Sequence, residues 1–169
     1  MNMKYAGALL VIAGCGGFGF SMAAACRHEE RLLKQLRDIL QYMYCELRFH
    51  LTPLPELCAN AGKSTGGTMG IVFCGLAEIL DTKDFADPSR CLKAVIPALE
   101  LTPGVRELLI DLGSTLGCFE LEGQLLGLEE QRRRCNAELE KLNAGKEDRL
   151  RSYQTLGLCA GAALVILFI

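Results

Sequence analysis

The chain has 169 residues, half of them hydrophobic, and a formal net charge of −2. All 20 acidic residues, and every basic residue except Lys4, fall between Arg27 and Ser152. The ends are therefore apolar, and the middle is slightly acidic and long enough for one compact domain, not two. With no Trp and 7% aromatic residues, the chain lacks the basic, base-stacking surface of a nucleic-acid binder, and no nucleic-acid partner is expected.

The first element is apolar. Tyr5 to Cys26 carries no charge, which is the length and character of a membrane-spanning helix. Ala23-Ala24-Ala25-Cys26 also resembles a weak lipoprotein cleavage site. An uncleaved anchor is preferred because four cations follow at once and would resist translocation. Ala13, Gly17 and Ser21 recur every four residues, so they share one helix face where a second helix could pack closely in lipid.

A polar continuation follows. Leu32, Leu33, Leu36, Ile39, Leu40, Met43 and Leu47 recur at steps of three and four and form a core-facing stripe. Arg27, Arg31, Lys34 and Arg37 form a basic stripe on another face, placed to contact lipid headgroups or a partner protein. Thr52-Pro53 reads as a helix start, Thr capping and Pro at the first helical position. That helix is expected to stop near Gly62, with residues 62–68 as a Gly/Ser/Thr loop. Helices are then expected over roughly 69–80, with Ile71, Val72, Leu76 and Ile79 buried; from Asp87-Pro88 to about Leu99; and from Thr102-Pro103 to about Gly117. The last of these carries Val105, Leu108, Leu109 and Leu112 inward. A long final helix has the inward series Leu121, Leu125, Leu128, Cys135, Leu139 and Leu142 and a weak point at Gly145. It runs on into Tyr153 to Ile169, which again carries no charge. Gly157 and Gly161 form a GxxxG pair there.

The predicted architecture is all-α: an antiparallel bundle of about six helices over residues 27–152, held between transmembrane helices at 1–26 and 153–169. Positive charge flanks both spans on the domain side: Arg27, Arg31, Lys34 and Arg37 after the first, Lys146, Arg149 and Arg151 before the second. Both counts put the domain in the cytoplasm and both termini across the cell membrane. The nine cysteines are scattered without metal-ligand spacing, so they are expected as reduced thiols and no metal is expected.

Chemistry is poorly represented. Gly62-Lys63-Ser64-Thr65 is half of a phosphate-binding loop; Leu57 stands where the first glycine is required, and a helix precedes it where a strand is required. His28 and His50 are isolated, and the pairs Glu29-Glu30 and Glu129-Glu130 read as solvated faces. Arg132-Arg133-Arg134 is a second candidate for partner or lipid contact, though salt bridges along the helix to Glu129, Glu130 and Glu138 are the plainer account. No enzyme activity and no cofactor is expected.

Several short stretches, in order along the full length, resemble the stage III sporulation protein AB family. They are Gly17-Phe18-Gly19-Phe20, Gln35-Leu36-Arg37, Glu46, Thr52-Pro53-Leu54, Leu112-Gly113-Ser114-Thr115-Leu116-Gly117 and Leu156-Gly157. The resemblance implies a non-enzymatic membrane platform subunit in the channel complex joining mother cell and forespore. Its helical domain would be similar to the cytoplasmic domain of the type II secretion F protein and would face the mother-cell cytoplasm. It also implies the ATPase subunit AA and other stage III channel proteins as partners, with a homo-oligomer possible. A membrane-anchored helical regulator unrelated to secretion is the competing reading.

Overall fold

The computed structural model describes the backbone of residues 2–82, 87–117 and 120–168, and the side chains of residues 24–82, 87–117 and 120–145. Within it lie six α-helices: α1 (Asn2–Phe49), α2 (Leu54–Thr65), α3 (Gly67–Thr82), α4 (Pro88–Val95), α5 (Pro103–Thr115) and α6 (Leu121–Phe168). A 3₁₀ turn, Ile96–Ala98, extends α4. No strand occurs among the described residues, so the chain is an all-α bundle. Among the residues with described side chains, no helix is long and apolar enough to cross a membrane. The apolar stretches expected to do so, with Ala13, Gly17, Ser21, Gly157 and Gly161, lie outside those residues, apart from 24–26.

The stripe on α1 is the spine of the bundle. Leu32, Leu33, Leu36, Ile39, Leu40, Met43 and Leu47 are all buried, each contributing about 1.5–3 kcal/mol of apolar burial. Leu128, Cys135 and Leu139 of α6 complete the seam. The pairing is antiparallel: Cys135 meets the Leu33 carbonyl, and Arg132, toward the start of α6, meets Gln41, farther along α1. Both α1 and α6 cross the expected domain boundaries, at 26/27 and 152/153, as continuous helix. The remaining helices form two layers against this pair, α2 on α3 and α4 on α5, with α3 touching α4 and α5 touching α6.

The helix starts are built differently from one another. Asp87 caps α4 as its sequence suggests, its side chain accepting from Ser89 N at 3.0 Å. At α2 the cap position belongs to Pro53, and the Thr52 hydroxyl instead donates back to Glu46 Oε2 at 3.0 Å. Thr102 has the extended cap backbone but makes no side-chain cap bond. The helix expected to reach Leu99 narrows to 3₁₀ after Val95, because Pro97 has no N–H to continue the α pattern.

The largest departure is at residues 62–68, expected as a loop. Helix α2 continues through Thr65, α3 begins at Gly67, and Gly66 alone separates them. Gly66 and Gly67 both have left-handed backbone, at φ 65° and 59°, which makes so short a reversal possible. Ser64 and Thr65 bond back to the Ala61 carbonyl at 3.0 and 2.9 Å, as hydroxyls inside helices do. Gly62 is needed for space: a Cβ there would stand 2.6 Å from Cys74 Sγ, 2.8 Å from Cys74 N and 2.9 Å from Gly70 O. Ile71, expected inside, is 58% exposed, because Met69, Val72, Phe73 and Leu76 form the buried face of α3.

Gly62→Ala is expected to destabilise the fold by about 1–3 kcal/mol, since two of the three contacts are backbone and cannot move aside. Gly145→Ala, where a Cβ meets nothing within 4 Å, should leave stability unchanged or raise it by up to about 1 kcal/mol. Urea titrations of the full chain followed by circular dichroism check both; equal midpoints for the two variants would refute the close α2–α3 crossing.

Candidate functional site

The two basic features proposed from sequence lie on adjoining helices and differ in how they are partnered. On α1, Arg27 and Arg31 are exposed, Lys34 bonds Glu30 at 2.8 Å, and Arg37 bonds its neighbour Asp38 at 2.8 Å. These contacts are exposed pairs, each contributing at most about 1 kcal/mol, so the stripe keeps its positive face toward solvent. His28 is exposed on the same stretch. His50 stands at the far end of α1, its Nδ1 3.5 Å from Glu46 Oε2.

The triplet on α6 works as an interhelical clasp. Arg132 reaches across to Gln41 of α1 and also bonds Glu129. Arg134 bonds Asp111 of α5 at 2.9 Å and lies 3.6 Å from Glu130. Arg133 alone points outward, 76% exposed, with Glu130 at 3.5 Å. Glu129 and Glu130 therefore serve as expected, while Glu138 pairs with Lys141 at 2.6 Å. Asp111 and Gln41 were not legible as partners, because spacing along one helix carries no information about its neighbours.

The seam beneath the clasp holds buried polar groups. Cys135 Sγ donates to the Leu33 carbonyl at 3.1 Å. Gln131 is buried, and its Oε1, with Arg132 Nε and Thr102 Oγ1, is buried without a hydrogen-bond partner. Such groups are costly in a helix seam. Burial pushes the Cys135 thiol up to about 11, the Arg37 charge pulling the other way, and pushes the Cys58 thiol up to about 12. Cys26, Cys45, Cys58, Cys74, Cys91 and Cys135 are free thiols, and Cys58, Cys91 and Cys135 are packed as small core residues. Among the described residues no group of three or more His, Cys, Asp or Glu side chains could hold a metal ion.

The half phosphate-loop is dissolved by the fold. Gly62 is buried at a helix crossing, Lys63 is exposed in the last turn of α2, and Gly66 N bonds the Gly62 carbonyl. The backbone N–H groups that would cradle a phosphate are engaged in helix bonds. Lys63 lies instead on the outer side of the α2–α3 hairpin, along a groove of about 660 Å³ that no sequence motif announced.

Comparison with known proteins places this geometry. The family model described as stage III sporulation protein AB matches residues 4–169, a range that includes both apolar ends. The stage III sporulation protein AB of Bacillus subtilis (strain 168) is 28% identical over 175 residues, which cover 98% of this chain and 98% of that protein. A solved structure of stage III sporulation protein AB (SpoIIIAB) is similar with a TM-score of 0.63 at 23% identity, covering 72% of this chain and 98% of that one.

The two sealed thiols give the fold a defined response to alkali. For Cys58 the folded protein favours the neutral thiol, with its value raised from 9.0 to about 12. The folded state therefore holds this proton more tightly than the unfolded chain does. Its contribution to stability is complete below pH 9.0 and falls as pH rises toward about 12; Cys135 adds the same sign. The urea midpoint should drop between about pH 8 and about pH 10.5, and drop less steeply in Cys58→Ala. Equal slopes for the two proteins would refute the burial of this thiol.

Proposed function

We propose, from the premise that the chain belongs to the stage III sporulation protein AB family, that it is a non-enzymatic membrane platform subunit of a secretion-like complex. Family membership itself gives the chain a role in sporulation. The finer reading adds a place, the channel joining mother cell and forespore, and partners, the ATPase subunit AA and other stage III channel proteins.

One observation carries the platform reading: the antiparallel pairing of α1 with α6. It sends the amino-terminal part of α1 and the carboxy-terminal part of α6 toward the same end of the bundle. Residues 1–26 and 153–169 can then enter one membrane side by side, with residues 27–152 held on the cytoplasmic side by the cations flanking each span. Two neighbouring spans also give the small-residue faces, Ala13, Gly17 and Ser21 with Gly157 and Gly161, a natural occupant in each other. Arg27 and Arg31 would lie within one or two turns of the headgroups, where each cation contributes about 1 kcal/mol of attraction to anionic lipid. Arg132 and Arg134 already bind within the bundle, so lipid contact is assigned to the α1 stripe.

In intact sporulating cells, a membrane-impermeant maleimide should leave Cys45 and Cys74, both only partly buried, unlabelled until the membrane is permeabilised. The chain solubilised from those cells should co-purify with the ATPase subunit. Labelling of Cys74 in intact cells would overturn the topology. Correct topology without the ATPase subunit would leave the anchored bundle standing and remove the platform role.

A further inference from the structure

The groove on the outer side of the α2–α3 hairpin has a floor of small side chains, Ala59 from α2 with Cys74, Gly75 and Ala77 from α3. Ile71 stands at its edge, 58% exposed. Among the described residues its rim is acidic: Glu56, Glu78 and Asp81 line it, with Lys63 as the cation. None of these three carboxylates forms an ion pair with another described residue. On α5 and α6, Asp111, Glu129, Glu130 and Glu138 each hold an arginine or lysine, while Glu107, Glu122 and Glu140 form no ion pair with another described residue.

We propose that this groove docks an amphipathic α-helix of a partner protein, with an apolar stripe flanked by lysine or arginine. A floor built from alanine, cysteine and glycine lets a helix backbone come close, and Ile71 supplies the apolar edge against which its stripe packs. Three carboxylates against one ammonium select a basic helix and repel an acidic one. The same sign repels anionic lipid. A Cβ on Gly67, at the near end of the hairpin, would be 3.8 Å from the Gln35 side chain, about 12 Å of helix rise beyond Arg27. Gln35 stands between Lys34 and Arg37, so the turn of the hairpin adjoins the domain-side end of the basic stripe. The proposal needs only the described bundle and stands apart from the platform reading.

The test uses the full chain with two fluorescein-labelled helical peptides, one of leucine and lysine and one of leucine and glutamate, read by anisotropy. The leucine–lysine peptide should bind and the leucine–glutamate peptide should not. Glu78→Lys with Asp81→Lys, and separately Ile71→Ser, should weaken binding by about tenfold or more. Glu122→Lys with Glu140→Lys, on the exposed face of α6, should leave it unchanged. All six substituted positions are exposed, and circular dichroism verifies that each variant is folded. Glu56→Lys with Glu78→Lys and Asp81→Lys should turn the preference round, so that the leucine–glutamate peptide now binds. Equal weakening by the α6 pair would reduce the effect to general charge attraction and overturn the site, as would wild-type binding by the groove variants. A sedimentation shift of the unliganded chain toward monomer in Ile71→Ser would name a second copy as the occupant and overturn the basic-helix assignment.

Discussion

The antiparallel seam between α1 and α6 is the constraint on which the rest of the bundle depends. Seven side chains of α1 at three- and four-residue steps are removed from water there and against the helices beside it. Two helices of 48 residues each are far longer than the domain they build, so their pairing also decides where their outer halves go. Had α1 and α6 run parallel, one apolar end would leave from each pole of the bundle. The buried Gln131 and the thiol of Cys135, which donates to the Leu33 carbonyl, sit within this seam. A polar group placed mid-seam disfavours sliding by a helical turn, because a shifted register would strand it.

The shorter helices are fastened by close approach more than by volume. At the α2–α3 crossing Gly62 and Gly70 stand against each other's backbone, a Cβ on Gly70 falling 2.8 Å from Gly62 O. At the α4–α5 crossing a Cβ on Gly113 would fall 2.8 Å from the Ser89 Cα. Helices so short, eight residues for α4 and 12 for α2, cannot hold themselves together in water on propensity alone. Bringing backbones together increases the dispersion contact each residue makes. Gly117, at φ 75°, then turns the chain from α5 toward α6, with Pro88 and Leu54 beside it.

Much of this was legible in the sequence, for reasons that differ from element to element. The α1 stripe was readable because a single period persists over sixteen positions, from Leu32 to Leu47, without a Gly or Pro. Asp87-Pro88 marked a true cap because both signals are local. Residues 62–68 misled because glycine has two uses that composition does not distinguish: Gly66 supplies a left-handed turn, whereas Gly62 supplies absent volume within a helix. Ile71 misled because periodicity states which residues share a face but not how wide the covered face is. The clasp of Arg132 and Arg134 onto Gln41 and Asp111 was beyond reach, since it joins three helices whose packing no single-helix pattern specifies. The groove was hidden for the same reason, half of it lying on each of two helices.

Charge placement then separates holding from meeting. Most ion pairs among the described residues lie within single helices, and two arginines reach across: Arg134 with Asp111 joins α6 to α5, and Arg132 bonds Gln41 of α1. Exposed pairs of this kind add little stability individually, but each consumes a charge that a partner could otherwise use. The groove carboxylates of the α2–α3 hairpin form no ion pair with another described residue. A small-residue floor under an acidic rim is an unfavourable way to finish a surface meant only for water, because like charges on neighbouring turns repel. It suits a basic helix, since added positive charge relieves the repulsion among Glu56, Glu78 and Asp81 beyond what Lys63 alone does.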